Sequence, residues 1–190
     1  MTCKTIYLIR HAAPQEGTGI AYDVPPGPPL SEAGQREARQ MAEFLAGRGI
    51  QRIVHSPLDR TAMTAEALGT RLGLPVVLDV DLAEHRRGET ADEVRARMQG
   101  FFAREMARPE TVLAFVSHGS PLKLLIEWLT DGRERFVGMR FPGHNVIPTA
   151  GVWQARGGLG APWEALFIFQ PNIMPAPEPT PVWAGGGRVA

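Results

Sequence analysis

The sequence predicts an α/β fold: a three-layer α/β/α sandwich with a mostly parallel central sheet. Three observations lead there. Short apolar runs rich in β-branched residues alternate with longer amphipathic segments that carry helix-start signals. The chain is 190 residues long, the size of one domain. Polar residues able to do chemistry fall just after the predicted strands, where a parallel sheet collects its functional groups.

The elements follow in order. Thr5–Ile9 reads as the first buried strand, and Val24–Leu30, with four prolines, as a stiff surface loop. Ser31 caps a helix whose stripe is Ala38, Met41, Ala42 and Leu45, spaced i, i+3, i+4, i+7, and which ends near Gly47 or Gly49. Arg52–His55 is the second strand. Ser56-Pro57-Leu58-Asp59 then puts a serine at the N-cap, proline at the first helical position and an acid at the third. Val76–Leu78 is a third strand, and Thr90 with Glu93 forms a capping box before Val94, Met98, Phe101 and Phe102. Thr111–Val116 is the fourth strand, followed by a helix opened by Ser120-Pro121, carrying Leu122, Leu125, Ile126 and Leu129 and stopping at Asp131-Gly132. Val146–Gln154 and Trp163–Phe169 read as a hairpin turned by Arg156–Gly160, and Gly157-Gly158-Leu159-Gly160 lacks the context of a nucleotide fingerprint. Residues 1–170 form the expected domain, and 171–190 a Pro/Gly-rich tail without apolar period. Trp128, Trp153, Trp163 and Phe136 are expected in the core.

Composition narrows the function. Twenty basic and 20 acidic side chains leave no net charge, which argues against an extended polyanionic partner such as nucleic acid or an anionic membrane surface. Cys3 is the single cysteine, so neither an intrachain disulfide nor a thiolate zinc site can form. The apolar run near the start is closed by Arg10, too short for a signal peptide, and no stretch approaches a bilayer span. A cytoplasmic protein is expected, and the sequence leaves a homodimer open.

The strand ends carry the chemistry. Arg10-His11 ends the first strand, His55-Ser56 the second with Arg60 in the next helix, and Ser117-His118-Gly119 the fourth; Glu84 follows the third. Two histidines, two arginines and a carboxylate on one sheet edge suit phosphoryl transfer. Guanidinium groups grip phosphate oxygens in pairs and stay charged. A neutral imidazole can attack phosphorus, and neighbouring arginines keep it neutral. A second histidine stabilises the transferring group, and a carboxylic acid protonates the leaving alkoxide, then deprotonates water.

Those residues stand in recognisable blocks: Leu8-Ile9-Arg10-His11, Pro29-Leu30-Ser31-Glu32-Ala33-Gly34, Ser56-Pro57-Leu58-Asp59-Arg60-Thr61-Ala62-Met63-Thr64-Ala65, Leu82-Ala83-Glu84 with Gly88-Glu89-Thr90, and Val116-Ser117-His118-Gly119. In this order they resemble the signatures of the histidine phosphatase superfamily, which includes phosphoglycerate mutases and many phosphomonoesterases. The resemblance implies that His11 is phosphorylated, that Arg10, Arg60 and His118 bind the phosphoryl group, and that Glu84 is the general acid/base, with Glu89 as competitor. It implies no metal and no organic cofactor. His55, Gly119 and Asn145 are candidates for the pocket wall, and loops 13–30 and 131–145 for its rim.

The chain also departs from that pattern. Ala12 stands where the family has glycine, and Ala13-Pro14-Gln15-Glu16-Gly17 with the Pro-rich loop replaces its usual polar residues. The resemblance implies that these are parts with which mutases hold a sugar acid carrying two phosphate sites, so a small phosphatase is expected rather than a mutase. The expectation is a histidine acid phosphatase-type phosphoric monoester hydrolase acting on a small phosphorylated metabolite. The alternatives are a phosphohistidine protein phosphatase, a phosphoglycerate mutase-type phosphotransferase, and a catalytically weak phosphate-binding regulatory protein.

Overall fold

The structure is a computed structural model that describes residues 3–132, 147–158 and 161–171. Its strands are β1 (Lys4–Arg10), β2 (Arg52–His55), β3 (Val76–Leu78), β4 (Val112–Ser117), β5 (Val152–Gly158) and β6 (Ala161–Phe169). They form one sheet in the order β3-β2-β4-β1-β5-β6. The β2/β3, β2/β4 and β1/β4 pairs are parallel; β1/β5 and β5/β6 are antiparallel. The helices are α1 (Glu32–Leu45), α2 (Asp59–Leu72), α3 (Ala91–Met106) and α4 (Gly119–Leu129), with a short 3-10 turn at Val80–Leu82.

Strand alternation splits the core into two layers. On one face Ile6, Leu8, Leu113 and Phe115 pack with Val94, Met98 and Phe101 of α3 and Leu122, Leu125 and Ile126 of α4. On the other, Tyr7, Ile9, Ile53, Ala114 and Val116 pack with Ala38, Met41 and Leu45 of α1 and Ala65 and Leu68 of α2. Strands buried on both faces read as continuous apolar runs, which explains why β1 and β4 lack polar alternation. Each such fully buried aliphatic side chain contributes roughly 1.5–3 kcal/mol of transfer free energy.

Helix starts match the sequence where a side chain does the capping. Ser31 Oγ accepts from Gly34 N at 3.0 Å, and Thr90 with Glu93 forms the complete capping box. Two expected caps are different. The helix after β2 begins at Asp59 with Leu58 at its N-cap, while Ser56 Oγ accepts from Leu58 N at a long 3.4 Å and from His118 Nε2 at 2.7 Å, and α4 begins at Gly119 with His118 rather than Ser120 at its N-cap. The hairpin strands also run through the expected turn: β5 extends to Gly158 and β6 starts at Ala161. Gly157 lies in β5 against the indole of Trp163, where a Cβ would fall 2.5 Å from the ring.

The Pro-rich loop is not simply surface. Gly27, Pro28 and Leu30 are buried, Pro14 bridges Leu30, and Asp59 N donates to Pro26 O at 2.7 Å. Gly27 has φ +67°, and a Cβ there would sit 2.9 Å from Arg60 Nη1, so glycine lets the loop lie directly on that guanidinium. Trp153 is fully buried and Trp163 packs on the core, but Trp128 is 39% exposed, its ring edge-on to Phe102 on the outer side of α4. Phe136, Asn145, most of loop 131–145, and all of the expected tail except Pro171 lie outside the described residues.

Candidate active site

The site is built where β1 and β4 run side by side. Arg10 pairs with Ser117, and His11 N donates to Ser117 O at 2.9 Å, so His11 and His118 emerge next to each other. Their ring centroids are 5.1 Å apart, close to the spacing of neighbouring strands. β2 lies beyond β4, and Ser56 N donates to Val116 O, which brings Ser56 beside His118.

His11 is completely buried, and its Nδ1 lies 2.8 Å from Ala12 O. A carbonyl only accepts, so Nδ1 carries the proton and Nε2 of the neutral ring keeps its lone pair. Burial first, then the charges of Arg10 and Arg60, push the imidazole pKa well below its ordinary value. The ring is thus neutral with a free lone pair on Nε2, the form that a nucleophilic histidine requires. The turn after it is braced from α1. Ala13 O accepts from Ser31 N and Ser31 Oγ, Glu37 Oε2 accepts from Ala13 N, and a Cβ on Gly34 would fall 2.0 Å from Ala13 O. That contact is the physical reason for a glycine three residues after Ser31. Ala12 N donates to Thr64 Oγ1 at 3.1 Å, and Ala12 does not have a positive φ, so alanine sits there without backbone strain.

Arg60, in the first turn of α2, is fully buried; Nη1 donates to Tyr22 O at 2.8 Å and Nη2 to His118 Nδ1 at 3.3 Å. Since Nδ1 accepts, neutral His118 carries its proton on Nε2 and donates it to Ser56 Oγ at 2.7 Å. Burial, then His11 and the two arginines, hold His118 well below the usual histidine pKa. Arg10 Nη1 donates to Ile147 O at 2.6 Å. The Nε atoms of both Arg10 and Arg60 are buried with no hydrogen-bond partner among the described residues. Leaving a buried donor unpaired costs roughly 1–3 kcal/mol, more for a charged group, so both guanidinium groups favour an incoming oxyanion.

Glu84 reaches the same place from the segment after the 3-10 turn. Its Oε2 lies 3.5 Å from His118 Nδ1, Oε1 accepts from His85 N, and burial is the main cause that raises its pKa. Glu89 is held elsewhere. Arg97 grips both its carboxylate oxygens, Nε to Oε1 at 2.7 Å and Nη2 to Oε2 at 3.0 Å, and this grip is the main cause of a pKa of about 2. Arg97 also donates to the carbonyls of Asp81, Ala83 and Glu84, so it fastens the segment that delivers Glu84.

Ligand atoms of His11, Glu84 and His118 lie within 4.8 Å of one another, close enough in principle to hold a metal ion. The guanidinium groups of half-buried Arg10 and buried Arg60 beside them repel a cation and favour an anion. His55 is buried at the end of β2 and gives Nδ1–H to Ser56 O, with no hydrogen bond or ion pair to these five residues. Gly119 is buried as the first residue of α4, directly after His118.

Four contributors escaped sequence reading: Ser56 as the anchor of His118, Thr64, Arg97 and Tyr22. Thr64 is signalled by its place one helical turn after Arg60, whose carbonyl it bonds at 2.6 Å. Tyr22 is the one aromatic residue in the loop between His11 and α1. No local pattern signals the reach of Arg97 back to Glu89.

Residues 6–88 match the histidine phosphatase superfamily (branch 1). An uncharacterized protein of Mycobacterium tuberculosis is 38% identical over 79 residues, which cover 42% of this chain and 39% of that relative. A probable phosphoglycerate mutase of Cronobacter sakazakii is 37% identical over 79 residues, covering 42% of this chain and 37% of that one. The chain thus spans well under half the length of these two curated relatives. A mycobacterial glucosyl-3-phosphoglycerate phosphatase structure superposes with a TM-score of 0.69 at 22% identity, over 87% of this chain and 98% of that one, a likeness of fold. The ordered sequence blocks and this match agree: over residues 6–88 the chain is similar to the histidine phosphatase superfamily.

Proposed function

We propose that the protein is a phosphomonoesterase that works through a phosphohistidine on His11 and uses water as the final acceptor. The observation that carries this reading is the pair of buried guanidinium Nε–H groups, without partners among the described residues, flanking a neutral histidine whose proton is held on Nδ1. In the first step His11 Nε2 attacks phosphorus, the ester P–O bond breaks, and the protonated Glu84 carboxyl gives its proton to the leaving oxygen. Arg10, Arg60 and His118 surround the phosphoryl oxygens and offset their charge. In the second step water attacks phosphorus, Glu84 carboxylate takes its proton, and the P–N bond breaks to release phosphate and neutral His11. The charge that keeps Glu89 ionised through its contact with Arg97 unfits it for this acid role.

The finer reading is a histidine acid phosphatase-type hydrolase of small phosphorylated metabolites. Among the proteins it resembles are a glucosyl-3-phosphoglycerate phosphatase and a probable phosphoglycerate mutase, and both names concern small phosphoesters. Hydrolysis over a panel of phosphosugars, nucleotides, sugar acids and phosphohistidine peptides tests the reading. Phosphate release from small esters, lost in His11→Ala, is expected. Turnover confined to phosphohistidine peptides would move the substrate to protein. Phosphate transfer between sugar-acid positions without release would make it a mutase.

A further inference from the structure

The rim of the site carries information on the leaving group. Three of the six exposed large apolar side chains among the described residues, Ile20, Tyr22 and Val24, fall within five residues of one loop. That loop is fastened over the phosphoryl site. Tyr22 O accepts from Arg60 Nη1, its ring lies under the Arg60 guanidinium at 3.9 Å, and its hydroxyl is 3.5 Å from His11 Nε2, the attacking atom. Tyr22 therefore stands at the reacting atoms, with Ile20 and Val24 exposed two residues to either side of it in the chain. Charge points the same way. From Ala13 to Leu30 the loop has no lysine or arginine, and its charged residues are Glu16 and Asp23. Among the described residues, the acidic groups whose charge reaches Arg60 include Glu84 and Asp23, while Arg10 and Arg60 are engaged by the phosphoryl group itself.

From these observations, and resting on the phosphatase reading above, we propose that Tyr22, with Ile20 and Val24, determines specificity by receiving an apolar, uncharged leaving group. The substrate class is a phosphomonoester of an apolar alcohol or phenol, in preference to a sugar acid or a bisphosphate. Tyr22 supplies the inner wall with its ring, and Ile20 and Val24 extend it.

Linear alkyl phosphates from ethyl to octyl test this, because leaving-group basicity stays nearly constant while apolar surface grows. Burying half of each methylene against an open wall raises kcat/KM about twofold per methylene, carried by KM. Tyr22→Ala flattens that slope, Tyr22→Phe keeps it, and Ile20→Ser, at an exposed position, shortens the range over which it holds. Equal kcat/KM along the series, or a preference for 3-phosphoglycerate over hexyl phosphate, overturns the specificity assignment and leaves the phosphatase reading intact. Turnover of no ester at all overturns that reading and this assignment with it.

Discussion

His11 and His118 face each other with ring centroids 5.1 Å apart because Arg10 and Ser117 are register partners on adjacent parallel strands. Each histidine is the first residue past its strand, so sheet spacing alone sets their separation. Their tautomers are then fixed by unlike partners. The carbonyl of Ala12 holds the proton of His11 on Nδ1, and Arg60 with Ser56 holds that of His118 on Nε2. The two rings are held in opposite tautomers as a result.

Ser56 is predicted to act as a positioning residue. Ser56→Ala leaves His118 Nε2–H buried without a partner and lowers stability by about 1–3 kcal/mol. It should also lower kcat about tenfold while Ser56→Thr restores part of it, read by steady-state kinetics and thermal melting. A stability loss with kcat unchanged would reduce Ser56 to a structural role.

Glu84 is predicted to matter according to the leaving group. Glu84→Gln should slow alkyl phosphates by roughly 10²–10⁴ and aryl phosphates with acidic leaving groups far less. Equal slowing of both classes would remove Glu84 from the proton-transfer step.

The same residue sets a pH limb. Burial raises the Glu84 pKa above its ordinary carboxylate value, so the acid form persists to higher pH and is lost as pH rises through that raised pKa. The kcat of wild-type protein on an alkyl phosphate should fall along this limb. The limb should vanish in Glu84→Gln on the same substrate, a comparison in which the ester's own ionisation cancels. His11, held well below the usual histidine pKa, adds no limb near neutral pH.

How far these assignments could be read from the chain depends on where each group sits. Arg10, His11, Ser117 and His118 belong to runs whose apolar pattern marks a buried strand, so the place of each at a strand end follows from local sequence. Arg60 is similarly legible one turn into a helix. The local pattern of Ser56 suits a helix cap, while its closer partner, His118, lies 62 residues away. Glu84 stands in a charged run with Glu89, and only the fold shows that Arg97 claims Glu89. Tyr22 lies in a segment without periodicity, where backbone bonds from α2 rather than propensity decide the path. Local patterns therefore locate strand-end chemistry, and long-range polar contacts decide which neighbour serves it.

Arg97 gives a prediction about folding rather than chemistry. Glu89 has its pKa lowered to about 2 from an ordinary 4.5, so its ion pair stabilises the fold above pH 4.5 and is lost as pH falls toward 2. Arg97→Met removes that pair and three carbonyl contacts. It should lower stability by about 1–3 kcal/mol at neutral pH, because the part-buried Glu89 carboxylate keeps the Arg86 N–H but loses its charged partner. The deficit should shrink in acid, read by denaturant unfolding at pH 7 and pH 3. A deficit that is the same at both pH values would contradict a role through charge.

The central claim is that the phosphoryl group passes through His11 Nε2. Rapid mixing of the protein with a turned-over phosphomonoester, quenching in base, and mapping the modified peptide tests it directly. Acid-labile, base-stable phosphate on His11 is expected, trapped at up to one equivalent and absent in His11→Ala. Phosphate on another residue, or turnover with none on the protein, would contradict it.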